Sequence, residues 1–244
     1  MNLRGGEKIL DVGSGLGQFT RLMARTAGEK GSVIGIERDA EQLSEARRQA
    51  IEDGEENLVE FRQGDALRFP LAENEWESFD VAHTRFVLEH LPNPLTVVKA
   101  MVRAVRPNGR IILEDDNHDS MTFYPEVKEF DAVWKAYYQT YETLGNDPLI
   151  GHKLVSMLHE AGAKPVKNSW IFFGSCAGNE SFDFYIENLL GVVEGAKQLI
   201  VGENLLDEEN YNAGINAIND WRRLPDAAMW FSLSYAEGVR LYNQ

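Results

Sequence analysis

The residues whose spacing carries the most chemistry lie near the start of the chain, in Ile9-Leu10-Asp11-Val12-Gly13-Ser14-Gly15-Leu16-Gly17. Glycines at alternate positions after a short apolar run let a ligand approach the backbone closely. Dinucleotide loops space their glycines as G-x-G-x-x-G and seat a pyrophosphate on the following helix. Counted from Gly13, that pattern needs glycine at position 18, where this chain has Gln18. Alone, the loop fits a plain tight turn as well as a ligand loop. A second feature narrows the choice. Val33-Ile34-Gly35-Ile36-Glu37 ends an apolar run in a carboxylate, twenty residues after Gly17. A carboxylate so placed can accept both hydroxyls of a ribose. Together the two point to a nucleoside-like ligand without deciding which one.

These side chains need elements to hold them. Residues 9–12, 32–36, 59–63, 79–83 and 110–114 read as five short strands. Helical patterns separate them, with Phe19, Leu22, Met23 and Ala27 on one face of 18–27 and Leu43, Ala46, Ala50 and Ile51 on one face of 40–53. Asn93 and Pro94 suit the start of a third helix, and Pro107-Asn108-Gly109 reads as the turn before the fifth strand. Strand and helix in alternation indicate an α/β fold, a parallel sheet covered on both faces. The second half is less regular. Residues 126–144 read as an aromatic-rich helix carrying Phe130, Trp134, Tyr137, Tyr138 and Tyr141. Asp147-Pro148 caps a helix that runs to Ala161 and stops at Gly162. Residues 170–174 and 229–235 read as strands, with two or more helices over 181–201 and 208–222. The expectation is one domain over 1–244, with helical cap insertions at about 119–146 and 177–224. A cap over the carboxyl edge of the sheet would sit where such folds bind ligands.

Composition excludes several classes of function. A net charge of −15 disfavours nucleic acid, whose phosphates need a basic face, and equally an anionic membrane. Cys176 is the only cysteine, so no disulfide forms within the chain. No apolar run approaches the roughly 20 residues that span a bilayer, and the polar first residues lack the apolar segment of a signal peptide. The expectation is a soluble, cytoplasmic protein that binds neither nucleic acid nor membrane.

Three more stretches follow the first two in order. Gly64-Asp65-Ala66-Leu67-Arg68-Phe69-Pro70-Leu71 comes after the third strand. Ser78-Phe79-Asp80-Val81-Ala82-His83-Thr84-Arg85-Phe86-Val87-Leu88-Glu89-His90-Leu91-Pro92 surrounds the fourth, and Val105-Arg106-Pro107-Asn108-Gly109-Arg110-Ile111-Ile112-Leu113-Glu114 leads into the fifth. With the D-x-G-x-G-x-G loop, these five ordered matches over about residues 8–116 resemble the class I S-adenosylmethionine-dependent methyltransferases. Within that family the likeness is to small-molecule enzymes related to the quinone-biosynthesis type. The resemblance implies a Rossmann-like sheet of seven mostly parallel strands, helices on both faces, and the last strand antiparallel. It implies S-adenosyl-L-methionine as cofactor and S-adenosyl-L-homocysteine as product. It assigns Asp11, Gly13, Ser14, Gly15 and Gly17 to the cofactor loop, and Glu37 with Arg38 to the ribose. Gly64, Asp65 and Ala66 would meet the adenine, whose amino group a carboxylate can accept from. Thr84, Arg85 and Phe86 would line the methionine part.

The reaction so implied is an in-line displacement of a sulfonium methyl by an O, N or C nucleophile of a small-molecule acceptor. An acceptor that must lose a proton needs a base near it. His118 is the first candidate and Asp116 the second, both just after the fifth strand. Asp116-Asn117 could also supply part of a magnesium site, as in catechol-type enzymes. The acid such sites draw from the end of the fourth strand is missing, because His83 and Thr84 stand there. Magnesium prefers oxygen ligands to imidazole, so no catalytic metal is expected. His83 and His90 read as structural hydrogen-bonding histidines. Family members usually carry N-terminal helices over the cofactor, whereas eight residues precede Ile9. The sequence either starts inside a longer chain or has lost those helices; a real loss would leave a more open site, or one closed by a partner subunit such as the second chain of a homodimer. A protein methyltransferase and a non-catalytic S-adenosylmethionine-binding protein are the alternatives to a small-molecule enzyme.

Overall fold

Short runs rich in Val and Ile form the expected strands, because branched side chains pack well on a pleated surface. The computed structural model describes residues 1–242 and divides the chain into two compact units. The first comprises Met1–Asp115, Ile150–Ser169 and the stretch from Ser234 onward. The second comprises Asp116–Leu149 and Trp170–Leu233.

In the first unit, β1 (Lys8–Val12), β2 (Ser32–Glu37), β3 (Val59–Gln63), β4 (Phe79–Arg85) and β5 (Val105–Asp116) alternate with α1 (Gln18–Ala27), α2 (Ala40–Glu52) and α3 (Pro94–Ala104). The strands lie in the order β3-β2-β1-β4-β5, followed by β8 (Ala228–Arg240), with β7 (Ala163–Cys176) paired to β8. The β1–β2, β2–β3, β1–β4 and β4–β5 pairs are all parallel. The strand order reverses at β1 and β4, which opens a crevice at their carboxyl ends. The α/β frame and its mostly parallel sheet are as the sequence implies. Leu10, Phe79, Ile111 and Leu113 belong to the buried core, and Val98 and Met101 of α3 pack into the same cluster.

Two local readings are corrected. Pro107-Asn108-Gly109 does not end one element before another. β5 already begins at Val105, and the three residues form an irregularity between the Phe79–Val105 and Val81–Arg110 pairs, with Asn108 at φ 64°. The helix expected to begin at Asp147-Pro148 starts later. Asp147 Oδ1 accepts from Leu149 N at 3.1 Å, a local turn that competes with a helical start. A single tight turn at Ile150–Lys153 then precedes α5 (Leu154–Glu160).

The second unit is built on α4 (Lys128–Thr143), α6 (Phe182–Gly195), α7 (Lys197–Gly202) and α8 (Glu208–Trp221). Phe130, Val133, Ile186, Val193, Ile200 and Ile218 are fully buried in its separate core. α8 passes so close to α4 that a Cβ on Gly214 would lie 2.3 Å from Val133 Cγ2 and 2.6 Å from the Glu129 carbonyl oxygen. The sequence marks the first insertion as helical, yet it also holds a short strand, β6 (Thr122–Tyr124). β6 pairs antiparallel with the start of the last strand, β8, Phe123 opposite Met229. Its three residues are too few for the alternation that identifies a strand.

Candidate functional site

The glycine loop follows β1 because the apolar run ends in residues that accept a left-handed backbone. Gly13, Gly15 and Gly17 have φ of 77°, 53° and 74°, a region costly for any side chain with a Cβ. Gly13 N and Ser14 N donate to the carbonyl of Ile36 at 2.8 and 2.9 Å, tying the loop to the end of β2. Close packing adds to the requirement. A Cβ on Gly13 would lie 2.2 Å from Val87 Cγ2, and one on Gly17 would lie 2.5 Å from the Phe61 ring. On Gly15 the nearest atom, Gln42 Oε1, would be 3.4 Å away, an ordinary contact, so there the backbone angle rather than packing sets the requirement.

The carboxyl ends of β2, β3 and β4 complete a cleft of about 390 Å³. Glu37 stands at its wall. One of its oxygens accepts from Gly15 N at 2.9 Å and the other from Asp39 N at 2.8 Å. Gly64 N donates to the Glu37 carbonyl at 2.9 Å, which joins the turn after β3 to the end of β2. Asp65 Oδ1 accepts from Leu67 N at 2.8 Å, holding the adjacent turn. Arg38, Ala66, Arg85 and Phe86 line the same cleft. A second hollow of about 350 Å³ lies on the other side of the loop, lined by Asp11, Ser14, Gly17, Phe19 and His83. Gly13, Arg85 and Phe86 border both. Ser14 Oγ is buried and has no hydrogen-bond partner among the described residues.

The turn after β4 is shaped from beneath. Asp115 is fully buried, and its Oδ2 accepts from Leu88 N at 2.8 Å and Val87 N at 3.3 Å. Phe86 takes φ 56°, and its N–H donates to the Glu114 carbonyl at 3.2 Å. The Arg85 guanidinium lies 4.8 Å from the Phe86 ring centre and 5.1 Å from that of Phe19. Thr84, expected in the cleft wall, lies elsewhere. It is fully buried and its hydroxyl donates to the Val12 carbonyl at 3.0 Å, so it braces β1 against β4. The alternation of a strand explains this: Arg85 and Thr84 point to opposite faces.

His83 is almost wholly buried. Its Nδ1 lies 2.8 Å from Asp11 Oδ1, and its Nε2 lies 3.8 Å from Glu114 Oε2. Burial pulls its pKa down, but the two carboxylates outweigh burial and lift it to about 9. Glu89 is also buried, which lifts its carboxyl to about 8, with His90 Nε2 3.4 Å from its Oε1.

The two candidate bases lie in the second unit. His118 Nε2 is 3.8 Å from Asp116 Oδ2. The His118 ring is surrounded by Trp134, Tyr137 and Tyr141, with centroids 5.5, 5.7 and 5.0 Å away. Trp134 Nε1 donates to the His118 carbonyl at 2.7 Å. Burial holds the imidazole below its usual pKa despite Asp116 and Asp119. Phe130, Trp134 and Tyr137 belong to this unit's core, so most of the aromatic stripe is packing.

Val87, Gln42 and Leu91 also line the cleft although the sequence did not mark them, and His90, read there as a structural histidine beside the cofactor wall, lines it too. Val87 had a signal, since it stands one step past the assigned wall in a stretch already singled out. Gln42, in the first turn of α2, had none.

A family model described as a methyltransferase domain matches residues 3–162. Demethylmenaquinone methyltransferase of Bacillus subtilis (strain 168) is 28% identical over 180 residues, covering 68% of this chain and 75% of that protein. The protein of the same description from Oceanobacillus iheyensis is 32% identical over 130 residues, 53% of each chain. The chain spans about half the length of most of the curated relatives it matches. Among solved structures, the YcgJ protein of Bacillus subtilis superposes with a TM-score of 0.61 at 18% identity, over 99% of this chain and 95% of that one. Phosphoethanolamine N-methyltransferase 2 of Haemonchus contortus, solved with phosphomonomethylethanolamine and S-adenosylhomocysteine, gives 0.58 at 15% identity, over 98% and 50%.

Proposed function

Because the chain belongs to the class I S-adenosylmethionine-dependent methyltransferases, we propose that it binds S-adenosyl-L-methionine in the cleft above Gly13–Gly17 and methylates an O, N or C nucleophile of a small molecule. The observation that carries this reading is convergence. The glycine loop, Glu37, the turn at Gly64–Ala66 and Arg85–Phe86 come from four strand ends and border one cleft.

The residues present fit an adenosyl sulfonium. Glu37 offers a carboxylate to the two ribose hydroxyls, and Asp65 offers one to the adenine amino group. Ser14 Oγ is a buried hydroxyl without a partner among the described residues, and Gly15 lies at the cleft wall. The faces of Phe19 and Phe86 favour a cation nearby. When bound, S-adenosylmethionine supplies a methyl group activated by a positively charged sulfur. The protein's part is to align donor and acceptor and to exclude water, effects worth roughly 7–11 kcal/mol in well-oriented systems. For an acceptor that must lose a proton, His118 is the proposed base. Burial keeps its imidazole neutral at physiological pH, and Asp116 stands 3.8 Å away.

Calorimetric titration with S-adenosylhomocysteine, and separately with NAD, tests the reading. The expected result is binding of the first only, with Glu37→Ala weakening it by roughly tenfold to a hundredfold, the loss of a charge-assisted pair of hydrogen bonds. No binding of S-adenosylhomocysteine, with Glu37→Ala indistinguishable from the parent, would sink it.

A further inference from the structure

Strand register puts four charged residues on one face of the first unit's sheet. Asp11 on β1 stands opposite His83 on β4, and Arg85, two residues further on, stands opposite Glu114 on β5. α1 lies against this face with uncharged contacts. Thr20 Oγ1 donates to Asp11 Oδ2 at 2.5 Å, and the Phe19 ring centre lies 5.1 Å from that of His83. From β8, Tyr235 lies near Glu114 and its hydroxyl donates a hydrogen bond to Glu237 at 2.7 Å; burial and the two carboxylates raise its pKa, so the phenol stays protonated. The titratable groups around His83 are therefore Asp11, Glu114 and Arg85, with Tyr235 behind Glu114.

Charge balance makes the arrangement informative. Asp11, His83 and Glu114 are each at most 3% exposed. Buried charges persist when they are paired. With His83 as an imidazolium, two negative and two positive groups share the face. With His83 neutral, one carboxylate is in excess. The competition for Glu114 is close: His83 Nε2 lies 3.8 Å from its Oε2, and Arg85 Nε lies 3.9 Å from the same atom. Arg85 makes no hydrogen bond to Glu114 at that distance, and its guanidinium remains on the wall shared by the two hollows.

We propose that His83 is a positioning residue for the cofactor: clamped between Asp11 and Glu114 as an imidazolium, it holds the start of the glycine loop and keeps Glu114 from drawing Arg85 out of the cleft wall. The inference rests on the S-adenosylmethionine reading and adds a proton to that site's requirements. Loss of the proton, which leaves from Nε2 because Nδ1–H stays on Asp11, takes the compensating charge from beside Asp11, two residues before Gly13, and leaves Glu114 to Arg85 alone. Both consequences fall on the ligand side of the sheet.

The test is calorimetric titration of the parent and of His83→Gln with S-adenosylhomocysteine from pH 7 to pH 10. His83→Gln is expected to bind about tenfold more weakly at pH 7, a coupling of ordinary size for residues in contact. Above pH 9 the parent's Kd is expected to rise up to about tenfold more per pH unit than the variant's, the slope of one linked proton. The ligand's own amino group titrates equally in both, so the difference in slope is the reading. A merely structural role would weaken binding by the same factor at every pH. Adding Glu114→Gln to His83→Gln is expected to restore most of the affinity, because Arg85 then has no carboxylate to pair with there. If the parent fails to bind at any pH, the S-adenosylmethionine reading falls with the inference. If parent and variant share one pH dependence, the inference alone falls. Should His83→Gln not fold, the histidine ring carbon signals of the labelled parent decide. His83 is expected to titrate near pH 9 and to shift upward when S-adenosylhomocysteine binds, since linkage is reciprocal. A His83 already neutral at pH 7, or unmoved by the ligand, would overturn the proposal.

Discussion

His83 in the first unit and His118 in the second are both buried, and their surroundings drive them in opposite directions. Carboxylates on the neighbouring strands hold the proton on His83. Three aromatic rings crowd His118, and burial outweighs the acids near it. Glycine is used in two ways as well. In the first unit Gly13 and Gly17 give a strand end its left-handed turn beside a cleft. In the second, Gly214 lets two helices touch. The first unit buries polar groups beneath its glycine loop and pairs Asp11, His83 and Thr20 with one another, while Ser14 Oγ finds no partner among the described residues. The second fills its interior with rings and aliphatic chains. Burial alone therefore says little about the state of a polar side chain; what it is buried against decides.

The sharpest break of this contrast is Gly13→Ala. The added Cβ meets Val87 at 2.2 Å on a backbone with φ 77°. Strain and overpacking together are expected to cost about 4 kcal/mol in chemical denaturation, and binding of S-adenosylhomocysteine is lost with it.

Next in size is the pH dependence of stability. The folded pKa of His83 is raised from 6.5 to about 9. Its contribution is complete below pH 6.5 and is lost as the pH rises through about 9, on the order of 3 kcal/mol in all. His118 is shifted the other way, so the folded state weakens as the pH falls below 6.5 and its buried ring must take up a proton. Urea denaturation from pH 5 to 10 is expected to show both limbs. His83→Gln should flatten the alkaline one and leave the acid one.

Gly214→Ala follows, with an expected loss of about 2 kcal/mol from the α4–α8 approach and no effect on ligand affinity. Val133→Ala in the same chain should recover part of that loss. The smallest effect is expected from His118→Phe, within about 1.5 kcal/mol of the parent at pH 8 because one neutral ring replaces another. The same variant should lose the acid limb. A large loss at pH 8 would mean that His118 is held by polar contacts rather than by its aromatic box.

The first unit was legible because its requirements are local. A glycine must stand where φ is positive, and a carboxylate at a strand end or in the turn after it is visible as a residue type, so the loop, Glu37 and Asp65 could be placed at one cleft from the sequence. Thr84 was misplaced by one step, since reading a wall as three successive residues ignores the alternation of β4. The buried link from His83 to Glu114 joins residues thirty-one positions apart, and no local pattern reports it. In the second unit the helices were visible from their periodicity, but their partners were not. The closeness of Gly214 to Val133, and β6 with its three residues, depend on tertiary packing that composition does not encode.

The most direct test of the central claim is a crystal structure with S-adenosylhomocysteine bound. The ribose is expected against Glu37, the adenine beside Asp65, and the amino-acid end toward Ser14 and Arg85. Density for the ligand away from the Gly13–Gly17 loop, or its absence from crystals soaked at saturating concentration, would contradict it.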